Sequence, residues 1–288
     1  MQKIWKTMKN QPPGRLIAMG FAMVILLGAI LLMLPCSVKD GAEVSFIDAL
    51  FTSTSAVCVT GLIVIDTADH FTAFGQGIVA ALIQIGGLGV TSIGVGLIIM
   101  TGKRVSMKSR VMVKEALNVN SYRGMVRLVK AVLLMTVCFE TVGAILSFLV
   151  FSQHYPLSHA VGISIFHSIA AFNNSGFDIL GGLTNLIPFQ QSILLNLTTA
   201  VLIIFGGLGF LVILEILHQR SFHKLSLHAK VVIVTSIFLT VAGTLLLKVT
   251  ENISWLGAFS RAYRPERQDF PLILSGSLPM RDCLPFVF

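Results

Sequence analysis

Five stretches of this chain are apolar over about the length that a lipid bilayer demands: Leu16–Leu34, Phe74–Met100, Leu128–Phe151, Ser192–Leu217 and Ala229–Leu247. A helix needs about 20 predominantly apolar residues to cross the hydrocarbon core. Within that core every backbone N–H and C=O must be satisfied inside the segment itself, which leaves helices as the simplest solution. The runs therefore predict an all-α membrane protein. Composition agrees, since 55% of the 288 residues are hydrophobic and 12% are charged, against about 25% charged in soluble domains. The start of the chain is basic and then apolar, as a signal peptide is. However, Leu16–Leu34 has the length of a full span, and Pro35-Cys36-Ser37 is not a small-x-small cleavage site, so it is read as a retained first helix.

Two further segments, Val44–Ile65 and His159–Leu180, lie between consecutive spans and are rich in Ser, Thr, Asn and Gly. They are too short or too polar to cross. Irregular backbone at membrane depth is tolerated only where protein buries it or water lines it, so both are expected to be re-entrant: a short helix enters and the backbone turns back out. The net charge of +8 does not point to nucleic acid, because the basic residues fall in short blocks between the apolar runs. Lys3, Lys6, Lys9 and Arg15 precede the first span, residues from Lys103 to Lys130 fill the second interval, and Arg220, Lys224 and Lys230 the fourth. Asp40, Glu43, Asp48, Asp66 and Asp69 occupy the other side. The positive-inside rule then places the N-terminus and the basic loops in the cytoplasm.

The chain repeats itself. Residues 49–62 align without a gap on residues 164–177, with Phe51/Phe166, Ser53/Ser168, Ala56/Ala171 and Gly61/Gly176 each 115 residues apart. Downstream, Gly86-Gly-Leu-Gly89 recurs as Gly206-Gly-Leu-Gly209. Two landmarks in the same order indicate duplication. A third unit begins with Ala229–Leu247 and Ser254–Phe259. The most distinctive chemistry lies in Val59-Thr60-Gly61 and Asn174-Ser175-Gly176. A dehydrated cation needs oxygen ligands in place of its water, and backbone carbonyls of an extended loop supply them. Glycine lets such a loop turn its carbonyls toward an axis, having no Cβ to clash. The alternative is that both are polar turns capping short helices.

Other polar residues admit structural roles. The Gly-Gly-Leu-Gly pairs suit close helix packing or a hinge. Glu140, mid-span, has either a pairing role or a role near an ion path, while Glu215 can reach the interface from its span end. His167 and Gln84 read as polar packing groups. Cys36, Cys58, Cys138 and Cys283 show no ligand spacing and read as small apolar fillers. The basic segment 103–130 suits lipid head groups, or docking of a cytosolic regulator. No nucleophile, paired-carboxylate or metal-ligand constellation emerges, so an enzyme is not expected.

Together, the Phe51–Leu62 segment, Gln84-Ile-Gly-Gly-Leu-Gly89 and Ala171-Phe-Asn-Asn-Ser-Gly-Phe177 resemble the Trk/Ktr/HKT superfamily of potassium transporters, and within it the membrane subunits of KtrB type. The resemblance covers residues 1–259. It implies four membrane helix–re-entrant pore loop–membrane helix repeats in one chain, of which this sequence holds two complete and a third partial. The divisions are 1–102 for the first repeat, 103–127 for a basic cytoplasmic linker, 128–218 for the second repeat and 219–258 for the start of the third. It implies potassium as the transported ion, held by backbone carbonyls of Val59, Thr60, Gly61, Asn174, Ser175 and Gly176, with sodium as an activator and no covalent cofactor. It further implies a homodimer in the cell membrane, bound to a cytosolic nucleotide-binding subunit of KtrA type. After Phe259 the chain departs from that pattern: lysine disappears and four of the nine prolines fall between Pro265 and Phe288. One permitted coding of Pro265–Leu272, read from the third base of codon 265, spells Arg-Thr-Ala-Gly-Phe-Ser-Thr, close to the superfamily's third filter. Residues 259–288 are therefore expected to be an out-of-frame tail, and a truncated, non-transporting product, or a membrane scaffold or receptor that binds a cytosolic regulatory ring, stands as the alternative to a transporter.

Overall fold

The computed structural model describes residues 12–100, 105, 107–116, 125–182, 186–189, 191–250, 255 and 259. The expected tail beyond Phe259, residues 251–254 and 256–258 of the third repeat, residues 103, 104, 106 and 117–124 of the basic segment, and Lys3, Lys6 and Lys9 lie outside them. In chain order the helices are α1 (Pro13–Leu32), α2 (Phe46–Val57), α3 (Thr67–His70), α4 (Ala73–Leu88), α5 (Val90–Met100), α6 (Met107–Ala116), α7 (Met125–Phe151), α8 (Leu157–Phe172), α9 (Ile193–Leu208), α10 (Phe210–Gln219) and α11 (Leu227–Thr250). Among the described residues the one β feature is an isolated bridge between Val38 and Phe71. The helices pack as two compact units, one drawn from Met1–Thr141 with Asn173–Phe177, the other from Val142–Phe172 with Asp178–Phe288.

Three helices, α1, α7 and α11, are long and apolar enough to cross a membrane. Each carries large apolar side chains exposed along its length, including Met23 and Leu27, Leu134 and Ile145, and Phe238 and Val249. Such side chains suit contact with lipid tails. The runs Phe74–Met100 and Ser192–Leu217, expected as spans whose Gly-Gly-Leu-Gly motifs suit close packing or a hinge, are bent pairs: α4 and α5 meet at 98° and α9 and α10 at 100°. The cause is the last glycine of each Gly-Gly-Leu-Gly motif. Gly89 has φ 79°, ψ 133° and Gly209 has φ 84°, ψ 141°, a conformation that a side chain at Cβ excludes. Hydropathy is the same on both sides of the break and does not register a change of direction.

In the first unit α1 packs along α2 and α4. It begins with proline at its first turn, where the missing N–H costs nothing. The Ser53 hydroxyl donates to the Ile25 carbonyl at 2.7 Å, and Gly28 permits that approach, since a Cβ there would run into Ser53 Oγ and lie 2.7 Å from Leu82 Cδ2. Helix α2 starts at a capping box in which Ser45 and Asp48 satisfy each other's backbone N–H. The connection from α1 is pinned to the segment before α4: Lys39 N–H donates to His70 O at 2.9 Å and Thr72 N–H to Ser37 O at 3.0 Å, and the Thr72 hydroxyl donates to Cys36 O at 2.6 Å. Helices α5 and α6 and the start of α7 share an apolar cluster of Val95, Val113 and Val129.

The second unit reproduces the same local packing. A Cβ on Gly143 would lie 2.5 Å from Ser168 Oγ and 2.6 Å from Leu202 Cδ1. These three residues are the counterparts of Gly28, Ser53 and Leu82 in the first unit. Helix α8 packs on α9, and α10 and α11 pack on α9 and on each other.

Candidate functional site

Helices α2 and α8 are too short to cross a bilayer, and each stops at one of the duplicated glycine loops. The stop of α2 is a complete Schellman arrangement. Val59 N–H donates to Ala56 O at 3.3 Å and Thr60 N–H to Ser55 O at 3.0 Å, which satisfies carbonyls of the last turn. The residue that must be left-handed in this arrangement is usually glycine. Here it is Val59, at φ 54°, and in the second loop Asn174, at φ 55°. Two residues on, Gly61 and Gly176 are left-handed as well, at φ 69° and 66°. Each loop thus carries positive φ at alternate residues, and the two patterns coincide at the 115-residue offset of the sequence repeat. Alternating the sign of φ turns successive carbonyls toward one side of the chain, whereas a uniform strand points them to opposite sides. A row of carbonyl oxygens beyond the carbonyl end of a short helix, where the helix dipole is negative, favours a cation stripped of water.

The two loops are held differently. In the first, Ser55 is the clasp: its hydroxyl donates to Leu62 O at 2.6 Å and lies 3.1 Å from the Thr60 hydroxyl. In the second, Ala170 stands where Ser55 stands and has no hydroxyl. Asn173, the residue before the loop, instead donates its carboxamide to Gln84 Oε1 at 2.8 Å and to Glu140 Oε1 at 3.3 Å. Residues 173–177 belong to the first compact unit together with Gln84 and Glu140.

The glycine motifs fit around these helix ends. A Cβ at Gly86 would run into the Val57 carbonyl, and one at Gly206 into the Phe172 carbonyl. Val57 and Phe172 are the last residues of α2 and α8, so the first glycine of each motif lets the following helix touch the backbone at the root of its loop. Packing and a break therefore both occur in one motif, at different glycines. Of the other residues singled out by sequence, His167 bonds Thr199 Oγ1 at 2.9 Å and meets Phe151 edge-on at 5.8 Å, which is a packing role. Glu215 accepts from the Ser226 N–H, and from its hydroxyl at 2.8 Å, and so fixes the turn between α10 and α11. Cys36, Cys58 and Cys138 are free thiols. Among the described residues no group of three His, Cys, Asp or Glu side chains is placed to hold a metal. Sequence reasoning missed the left-handed valine, the Asn173 bonds and the Gly28/Gly143 contacts. Only the last left a sequence signal, since those two glycines share the repeat's offset.

The fold defines a class: a multi-pass helical membrane protein with duplicated re-entrant loops. The chain belongs to the TrkH family, described as cation transport proteins, which it matches over residues 15–232. It is 39% identical over 244 residues to the potassium/sodium uptake protein NtpJ of Enterococcus hirae, covering 85% of this chain and 54% of that protein. It is 38% identical over 249 residues to the Ktr system potassium uptake protein B of Bacillus subtilis, covering 86% and 55%. For the protein of the same description in Vibrio alginolyticus the identity is 36% over 261 residues, covering 85% and 56%. The chain spans about half the length of the curated relatives it matches.

Proposed function

We propose that this chain takes potassium into the cell as the pore-forming membrane subunit of a Ktr/Trk-type transporter, and that Val59, Thr60, Gly61, Asn174, Ser175 and Gly176 contribute two strands of its ion filter. The observation that carries the proposal is the matched pair of left-handed residues in each loop, 59 with 61 and 174 with 176, at the carbonyl ends of two non-crossing helices in a chain of a cation transport family. Relatives described as potassium uptake proteins support potassium as the cargo. The name of one, a potassium/sodium uptake protein, supports sodium as a second, activating ion.

Within this proposal each repeat is one membrane helix, one re-entrant helix and loop, and one bent pair, divided at 1–102, 103–127, 128–218 and 219–258. The basic blocks put the N-terminus and residues 103–130 in the cytoplasm, where a nucleotide-binding subunit of KtrA type docks on a membrane homodimer. The relatives' description as Ktr system proteins supports a multi-subunit assembly. Expression in a bacterium deprived of its own potassium uptake tests the function. Growth on low potassium with uptake of labelled rubidium is expected, and expression at the membrane with neither would contradict it.

A further inference from the structure

We propose that Glu140, Gln84 and Gly87 act as a positioning bracket for the second filter strand, holding Asn173 so that the strand that follows keeps its register. The inference rests on the reading of residues 174–176 as part of the ion path. Three observations converge on Asn173. Its carboxamide nitrogen donates to two acceptors on different helices, Gln84 on α4 at 2.8 Å and Glu140 on α7 at 3.3 Å. Its side chain lies close against Gly87, where a Cβ would run into Asn173 Oδ1 and come 2.6 Å from its Cγ and 2.9 Å from its Cβ. Residues 173–177, which follow α8 in the chain, also belong to the first compact unit, as both acceptors do.

The bracket has no equivalent in the first repeat. At the repeat's offsets, Asn173 corresponds to Cys58, Glu140 to Ile25 and Gln84 to Ile204, none of which can form these bonds. The first strand has its hydroxyl clasp at Ser55 instead, and the second has alanine there. Sequence duplication thus supplied two loops of like backbone, and each is secured by different chemistry. Loss of either acceptor removes one of the two bonds that tie the buried Asn173 carboxamide to α4 and α7, and so loosens the backbone that follows it. Asn173 directly precedes left-handed Asn174, so this loosening passes into the strand.

What the bracket requires of Glu140 is an acceptor oxygen, not a charge. This separates positioning from direct electrostatic action on the ion. The test measures the potassium-to-sodium uptake ratio of the whole chain in the uptake-deficient host, alongside its abundance in the membrane. Glu140→Ala, Gln84→Leu and Gly87→Ala are each expected to lower the ratio about fivefold, equivalent to one hydrogen bond of about 1 kcal/mol. Glu140→Gln, which keeps an acceptor oxygen, is expected to retain the parent ratio. The ratio is a property of each working molecule and does not depend on how much accumulates. The bracket is overturned if the three disruptive variants keep the parent ratio, or if Glu140→Gln falls as far as Glu140→Ala. Gly176→Ala separates this from failure of the filter assignment: an unchanged ratio in that variant removes the second strand from the ion path, whatever the bracket does.

Discussion

Val59 sits at φ 54°, a region that a β-branched side chain rarely enters because its Cβ crowds the carbonyl oxygen. Strain of this kind persists only where the surroundings impose it, and it gathers at working sites. Its counterpart Asn174 holds the same conformation with a side chain that tolerates it. Replacing Val59 by Asn is therefore expected to stabilise the chain by about 1 kcal/mol, read as a higher unfolding temperature in detergent. A lower temperature would show that the valine side chain's packing outweighs its backbone strain. The opposite sign is expected at Gly86. A Cβ there meets the backbone of Val57 rather than a movable side-chain end, so Gly86→Ala is expected to cost about 1–3 kcal/mol. Gly206→Ala should behave alike against Phe172. Parent-like melting in both variants would contradict the close packing at the roots of the loops. Val59 was illegible as a strained residue because backbone handedness is set by the Schellman bonds around it, not by its own type.

At the scale of elements, hydropathy located α1, α7 and α11 and the short helices α2 and α8, since apolar length is what burial in lipid selects, but not α3 or α6, which lie in polar and basic stretches. It could not show that two of the five runs bend by about a right angle, because the residues flanking Gly89 and Gly209 are equally apolar. The dihedral at that glycine decides direction, and Gly89→Ala is expected to cost about 1–3 kcal/mol or to straighten the break. Spin labels at Gly77 and Leu97, on either side of it, would report straightening as a longer distance. An unchanged distance with unchanged stability would mean that the bend is imposed by neighbours. Ser45, Thr72 and Ser192 each cap the helix that follows. Loss of the capping box in Ser45→Ala is expected to cost about 1 kcal/mol and to raise amide exchange in the first turn of α2.

For the whole molecule, the sequence repeat was the most informative signal. It predicted both loops and their spacing, and the structure adds the matching contacts Gly28–Ser53–Leu82 and Gly143–Ser168–Leu202. What the repeat concealed is its asymmetry. Aligned loops look equivalent in sequence, yet one is clasped by a local serine and the other by Asn173 across to Gln84 and Glu140. Contacts between distant parts of a chain leave no local pattern, so from sequence Gln84 reads as a packing group and Glu140 as a pairing group or one near an ion path, and their shared partner is not legible.

The proposed ion path makes equal demands on both loops, because each supplies a glycine in the same left-handed conformation. The most direct measurement is the potassium-to-sodium uptake ratio of Gly61→Ala and Gly176→Ala beside the parent chain at matched membrane abundance. If the two loops are strands of one filter, both substitutions abolish the preference for potassium or abolish uptake. Uptake at the parent ratio in either variant would contradict that loop's place in the path.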